Sequence, residues 1–283
     1  MIADGSPDDI LNALDAAAER IATPCGEGRM VWRAWGSGPP LVLLHGGYGS
    51  WRHWVRNIPH FQSAHRVFAP DTPGLGDSDE APEATPEGIG AVVAQGLAQI
   101  FAPDDKIDLV GFSFGALVAG HTAAQFPREL ASLTLVGPGA LGVTRANVML
   151  NRSDVPMTEV ERRDVNRANL AMLMIADPAK IDDLAIAIQE HNVGLARVKS
   201  RRFANSPSLA QALRQSRPAR LNAIWGDQDA AADGYFAERE ALLRDIRADV
   251  SFNLIPNAGH WVAYEAPEAF NRLLDTLLGR APA

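Results

Sequence analysis

The sequence predicts an α/β protein with a mostly parallel central sheet and helices on both of its faces. The nearly continuous apolar run at residues 40–44 reads as a strand covered on both sides, because strands of a parallel sheet lose the polar half of their alternation, and further runs at 133–136 and 221–225 also read as strands. Helical stretches separate these runs, as the crossovers between parallel neighbours require. Residues able to do chemistry (Ser113, Asp227, Asp229 and His260) fall just past the ends of such runs. That is the sheet edge where open α/β proteins gather their ligands.

Taken in chain order, Ser6-Pro7-Asp8-Asp9 is a helix start, with a capping serine, proline at the first helical position and acid in the first turn. The helix is expected within residues 1–22, its apolar face formed by Ile10, Leu11, Leu14, Ala17, Ala18 and Ile21. This face would pack on the body of the protein or on a second copy of the chain, as a homodimer. Gly26 and Gly28 separate the arms of a hairpin whose second arm is 30–35. The strand at 40–44 ends in His45-Gly46-Gly47-Tyr48-Gly49, and a strand at 67–69 leads into Asp71-Thr72-Pro73-Gly74-Leu75-Gly76-Asp77-Ser78, read as a structural loop. A helix over 89–101 returns the chain to a strand at 106–110, followed by a helix at 116–124. Between Gly137 and Arg220 the alternation stops and charged, helical sequence intervenes, which reads as a lid inserted over the strand ends. Strands at 221–225 and 250–255 and a helix over 267–278 complete the chain. The expected division is a core of 1–137 with 218–283 and a helical cap of 138–217.

The composition narrows the function. With 283 residues, 47% hydrophobic and 21% charged, the chain has the balance of an ordinary globular protein. A formal charge of -8 repels phosphates, and no basic run interleaves with aromatics, so a nucleic-acid partner is not expected. Cys25 is the only cysteine, which excludes an internal disulfide and a thiolate metal cluster. No histidine pair at helical spacing accompanies a carboxylate, so neither a metal nor another cofactor is expected. The first twenty residues carry five acidic side chains and no apolar core segment, unlike a secretory leader, and no apolar run reaches bilayer length. A cytoplasmic protein acting on a small molecule, away from membranes, is the expectation.

Gly111-Phe112-Ser113-Phe114-Gly115 follows a strand and opens a helix, the context of a nucleophile elbow. The turn is so sharp that the positions two before and two after the serine cannot carry bulky side chains. Ser113 would be a poor nucleophile unaided and needs a base, for which His260 in Pro256-Asn257-Ala258-Gly259-His260-Trp261 is the candidate. An acid must then orient the imidazole. Asp227 and Asp229 stand two apart in Gly226-Asp227-Gln228-Asp229, and their spacing alone does not separate them. The backbone N–H of Phe114, next after the nucleophile, is one donor for an oxyanion.

The elbow, the Ser–Asp–His order and the His45-Gly46-Gly47 turn together resemble the α/β-hydrolase superfamily, in its serine-nucleophile branch, from about Pro39 to Leu278. The resemblance implies Asp229 as the acid, three positions past the strand-end glycine, and Gly47 as the second oxyanion donor. His260-Trp261 and the inserted cap are also similar to hydrolases that cleave carbon–carbon bonds in ring-opened aromatic catabolites (dienoates). Phe112 departs from them, since an asparagine commonly precedes their nucleophile. The resemblance therefore implies a serine hydrolase of small carboxylic esters or related acyl compounds. The alternatives are a C–C bond hydrolase, a peroxide-using relative of the esterase, and a non-enzymatic small-molecule receptor.

Specificity is expected in the cap. Ile181, Leu184, Ile188, His191, Leu195, Val198 and Arg202 fall on one helical stripe, and 138–217 holds twelve basic against eight acidic residues. If the stripe faces the catalytic pocket, His191, Arg202 and the nearby Arg197 would orient a polar or anionic substrate. Otherwise it packs on the core. Trp51 and Trp261 are candidate pocket walls, with core packing as the alternative.

Overall fold

The computed structural model describes residues 5–151 and 156–279. Ser6 opens α1 (Pro7–Ala16) through a closed capping box, its hydroxyl accepting the Asp9 N–H and the Asp9 carboxylate accepting the Ser6 N–H. The helix is shorter than expected. Ala17 caps it, and Ile21 belongs instead to β1 (Glu19–Cys25), where alternate positions from Ile21 to Cys25 turn toward the core. β1 pairs with β2 (Gly28–Trp35) across a hairpin turn in which Gly26 takes a left-handed φ of 58°. Leu11 is buried, and Ile10, Leu14 and Ala18 pack against the same cluster, so the chain covers this apolar face itself.

The elements that follow are β3 (Pro40–Leu44), α2 (Ile58–Phe61), β4 (Arg66–Pro70), α3 (Pro86–Ile100), β5 (Asp108–Phe112), α4 (Phe114–Gln125) and β6 (Ser132–Val136). The next segment holds α5 (Glu159–Asn169), a π turn (Leu170–Met174), α6 (Asp183–Leu195) and α7 (Ser208–Gln215). The chain closes with β7 (Leu221–Gly226), α8 (Phe236–Ile246), β8 (Ser251–Ile255), α9 (Val262–Glu265) and α10 (Pro267–Leu277). Eight strands form one sheet in the order β1-β2-β4-β3-β5-β6-β7-β8. β2 pairs antiparallel with β1 and β4, and every pairing from β4 to β8 is parallel.

The unbroken apolar run of β3 is explained by two cores, one on each face. Val42 and Leu44 join a cluster with α3, α4 and α7, whereas Leu41 and Leu43 join one with α1, α6 and α10. α7 packs on α4 within the first of these layers, where an added Cβ at Gly120 would stand 2.3 Å from Leu209. The sequence had grouped this helix with the cap. The loop after β4 is a scaffold, as expected. Buried Asp71 accepts the N–H groups of Trp51 and Asp77 at 2.8 and 3.0 Å and pairs with Arg33 at 3.1 Å. Among the described residues no helix is long and apolar enough to cross a membrane.

Candidate active site

Ser113 stands between β5 and α4 with φ 52° and ψ -113°, a strained backbone for a residue with a side chain. The flanking glycines are what permit it. A Cβ on Gly111 would meet the Gly115 carbonyl oxygen at 2.3 Å, and one on Gly115 would meet the carbonyls of His45 and Leu44 at 2.4 and 2.5 Å. The Ser113 N–H is bonded to the Val136 carbonyl at 2.7 Å, which fixes the turn to the next strand.

His260 and Asp229 complete a hydrogen-bonded line with Ser113. His260 Nε2 lies 2.9 Å from Ser113 Oγ, and His260 Nδ1 lies 2.7 Å from Asp229 Oδ2. An ionised carboxylate only accepts, so Nδ1 carries the proton and Nε2 is left to accept from the serine hydroxyl. The other Asp229 oxygen accepts the Ala231 N–H at 2.9 Å. The structure also separates the two aspartates. Asp227 accepts the Asn257 N–H at 2.8 Å and holds the turn after β8, in which Asn257 itself has φ 56°. Gly137, at φ 53°, packs behind the pair, and its added Cβ would sit 3.2 Å from the imidazole.

Glu265 holds the histidine loop, a role that no sequence motif marked. Its buried carboxylate accepts the N–H groups of Gly259, Ala176 and Asp177 at 2.7, 2.9 and 2.8 Å. The Trp261 N–H donates to the Met174 carbonyl at 2.7 Å. The loop bearing His260 is thereby tied to the π turn and the residues just after it.

The His45-Gly46-Gly47 turn is held by two buried histidines. His45 Nδ1 lies 2.8 Å from the Gly46 carbonyl, and its Nε2 accepts the Thr72 N–H at 2.9 Å. His53 Nδ1 accepts the Gly46 N–H at 3.1 Å. An added Cβ on Gly47 would stand 3.4 Å from the Phe114 Cβ, so these two backbone segments lie side by side. Phe114 begins α4, and its N–H has no carbonyl partner within the helix. Tyr48 follows with φ 50° and borders the same space.

Burial pushes the His45 imidazole below its ordinary pKa, with Asp71 and the Gly46 carbonyl opposing. Burial pushes His53 well below, and the charges of His45 and His260 add to it. Both rings therefore hold a proton less readily in the native protein than in the unfolded chain, where they protonate near pH 6.5. The unfolded state then binds more protons, so stability is full above about pH 6.5 and falls as the pH drops. The slope that one such ring adds is at most roughly 1.4 kcal/mol per pH unit, and His53, the more strongly shifted, is expected to contribute the more. Urea denaturation between pH 7 and pH 5 measures it. His53→Asn, which retains an acceptor near Nδ1 and removes the titration, is expected to make the slope shallower, and an unchanged slope would contradict this account.

A cavity of about 650 Å³ adjoins Ser113, His260 and Asp229. Gly47 and Phe114 border it, as does Arg197 from the segment after α6. The other four residues expected around the substrate do not. Trp51 is fully buried between Arg33 and Arg52, against Trp35. Trp261 is fully buried on Tyr264 and His53, its indole N–H donating to the His53 carbonyl at 3.0 Å. His191 is exposed on α6, and Arg202 is exposed with a bond to the Ala84 carbonyl at 2.8 Å. The reason is helix phase. α6 ends at Leu195, where Ala196 turns extended, and Ile181, Leu184 and Ile188 of the stripe enter the core. Gln189, Val193 and Ala196 face the cavity instead. Arg145, nine residues beyond Val136, and Arg239 of α8 also border it, and neither lies in a motif.

The chain was compared with known proteins. It is 27% identical over 259 residues to a 2-hydroxy-6-oxo-6-phenylhexa-2,4-dienoate hydrolase of Burkholderia cepacia, which covers 84% of this chain and 87% of the relative. It is 25% identical over 259 residues to a 2-hydroxy-6-oxononadienedioate/2-hydroxy-6-oxononatrienedioate hydrolase of Comamonas testosteroni, with the same coverage. Among solved structures, an esterase from a Rhodococcus species superposes with a TM-score of 0.74 at 23% identity, covering 93% of this chain and 98% of the other. The profile of the alpha/beta hydrolase family matches residues 41–273, from within β3 to within α10, a span that carries the sheet edge and its hydrogen-bonded serine, and the chain belongs to that family as an α/β-fold hydrolase.

Proposed function

We propose that this hydrolase works through an acyl-enzyme on Ser113, cleaving a small carboxylic ester or a related acyl compound. The observation that carries the reading is the line from Ser113 Oγ to His260 Nε2 to Asp229, at 2.9 and 2.7 Å, beside an open cavity. His260 takes the hydroxyl proton as Ser113 attacks the carbonyl carbon, and Asp229 stabilises the imidazolium that forms. The carbonyl oxygen becomes an oxyanion that accepts from the N–H groups of Gly47 and Phe114. Collapse expels the leaving group with the proton from His260. Water then enters, gives a proton to His260 and attacks the acyl carbon, and the acid departs as Ser113 regains its hydrogen.

A second reading is favoured by the relatives named for dienoate substrates, which align over most of the chain. The same three residues would then serve cleavage of a carbon–carbon bond. Against it stands Phe112, whose buried ring packs beside His53, Trp54 and His260 and offers no polar atom before the nucleophile.

Turnover of 4-nitrophenyl acetate, measured beside bleaching of a ring-opened phenyl dienoate, tests the two readings together. Serine-dependent release of nitrophenol with an untouched dienoate is the expected result. Dienoate cleavage outpacing ester turnover would overturn the order of the two readings.

A further inference from the structure

The cavity next to Ser113 is unevenly charged. Arg145, Arg197, Lys199, Arg201 and Arg239 border it, against one carboxylate among the described residues, Asp229. Both oxygens of that carboxylate are already engaged, by His260 and by the Ala231 N–H. The cations are held mostly by neutral carbonyls. Arg201 donates to Val148 at 2.9 Å, and buried Arg239 donates to Tyr235 and Ala231 at 3.0 and 3.2 Å, with its Nε left unpartnered.

Arg145 differs from the others. It is partly buried, and it makes no hydrogen bond or ion pair with any described residue. Its backbone is nonetheless anchored, because the next residue, Ala146, donates its N–H to the Ala231 carbonyl at 3.3 Å. The same carbonyl accepts from Arg239, so both arginines converge on the loop that follows Asp229. Burial pushes the Arg145 guanidinium below its ordinary range, the Asp229 charge opposes this, and Arg201 adds to it. An unpaired cation in a partly desolvated site is costly to keep. A guanidinium fork also matches a carboxylate in two parallel hydrogen bonds.

We propose that Arg145, backed by Arg239 and Arg201, is a subsite for a carboxylate carried by the substrate, on the Asp229 side of the reacting serine. This makes the substrate of the acyl-transfer site an anionic acyl compound, an inference that rests on that reading of the site. The cation surplus also draws such substrates into a chain that is acidic overall.

The test compares mono-4-nitrophenyl adipate with its neutral isostere, 4-nitrophenyl 6-methylheptanoate. A second pair, 3-carboxy-4-nitrophenyl acetate and 4-nitrophenyl acetate, places the charge on the leaving group. The wild-type protein is expected to favour the anionic member of one pair by tenfold or more in kcat/KM. Arg145→Gln is expected to collapse that preference at least tenfold, chiefly through KM, whereas Arg145→Lys retains part of it and Arg202→Gln, outside the cavity, retains all. Preference for neither anionic ester, or one that survives Arg145→Gln, overturns the proposal. Calorimetric binding of free adipate to Ser113→Ala gives a readout that needs no turnover. Its dissociation constant is expected to rise at least tenfold on adding Arg145→Gln. Arginine-dependent adipate binding with no hydrolysis of any ester would overturn the acyl-transfer reading and leave the subsite standing; adipate binding indifferent to Arg145 would overturn the subsite.

Discussion

Ser113→Ala is expected to lower kcat on 4-nitrophenyl acetate by about 10⁴- to 10⁶-fold, the range seen when the nucleophile is removed from a group of residues that acts as a unit. The physical reason is that, among the described residues, Ser113 carries the one hydroxyl hydrogen-bonded to the imidazole. The strained φ of 52° aims Oγ at the imidazole 2.9 Å away, and the two glycines that permit the turn leave no room for rearrangement. A residual acceleration over water is expected to remain, because the proposed oxyanion donors, the N–H groups of Gly47 and Phe114, are untouched by the substitution. Steady-state rates corrected for uncatalysed hydrolysis measure the effect. A loss smaller than about tenfold would show that the acyl-enzyme does not form at this residue.

Asp229→Asn is expected to cost about 10⁴-fold in kcat, because the amide can donate to Nδ1 and so favours the wrong imidazole tautomer. Asp227→Asn is the matched control, since it keeps an oxygen to accept from Asn257 and is expected to change kcat less than threefold, in keeping with a role in the turn alone. The comparison is sharp because the two residues lie two apart in one loop, so a general disturbance of that loop affects both. Equal losses in the two variants would mean that the loop, and not the Asp229–His260 bond, sets the rate.

Much of the architecture was legible before folding was considered. The capping box at Ser6, the apolar runs of β3, β6 and β7 and the elbow at 111–115 are short-range features, in which neighbouring residues dictate backbone angles. The places where the reading slipped are of another kind. Helix α1 gave way to β1 because Glu19–Cys25 found a partner strand in β2, a tertiary contact that overrides helical periodicity. α7 falls in the stretch expected to form the cap, and its helical pattern does not say that Leu209 meets Gly120 of α4.

The chemistry divides in the same way. By itself the sequence determined that a serine would sit on a glycine-flanked turn, with an aspartate and a histidine following at later strand ends, because those requirements are local and steric. Only the tertiary structure decided which aspartate meets His260, that Glu265 clamps its loop, and that α6 shows Gln189 and Val193 to the cavity while His191 faces outward. Arg145 and Arg239 lie 94 residues apart and both come to border the cavity because the Ala231 carbonyl accepts from the Ala146 N–H and from the Arg239 side chain. The physical reason is that a side chain's direction relative to a cavity depends on helix phase and on packing between distant segments, and neither is set by near neighbours in the chain.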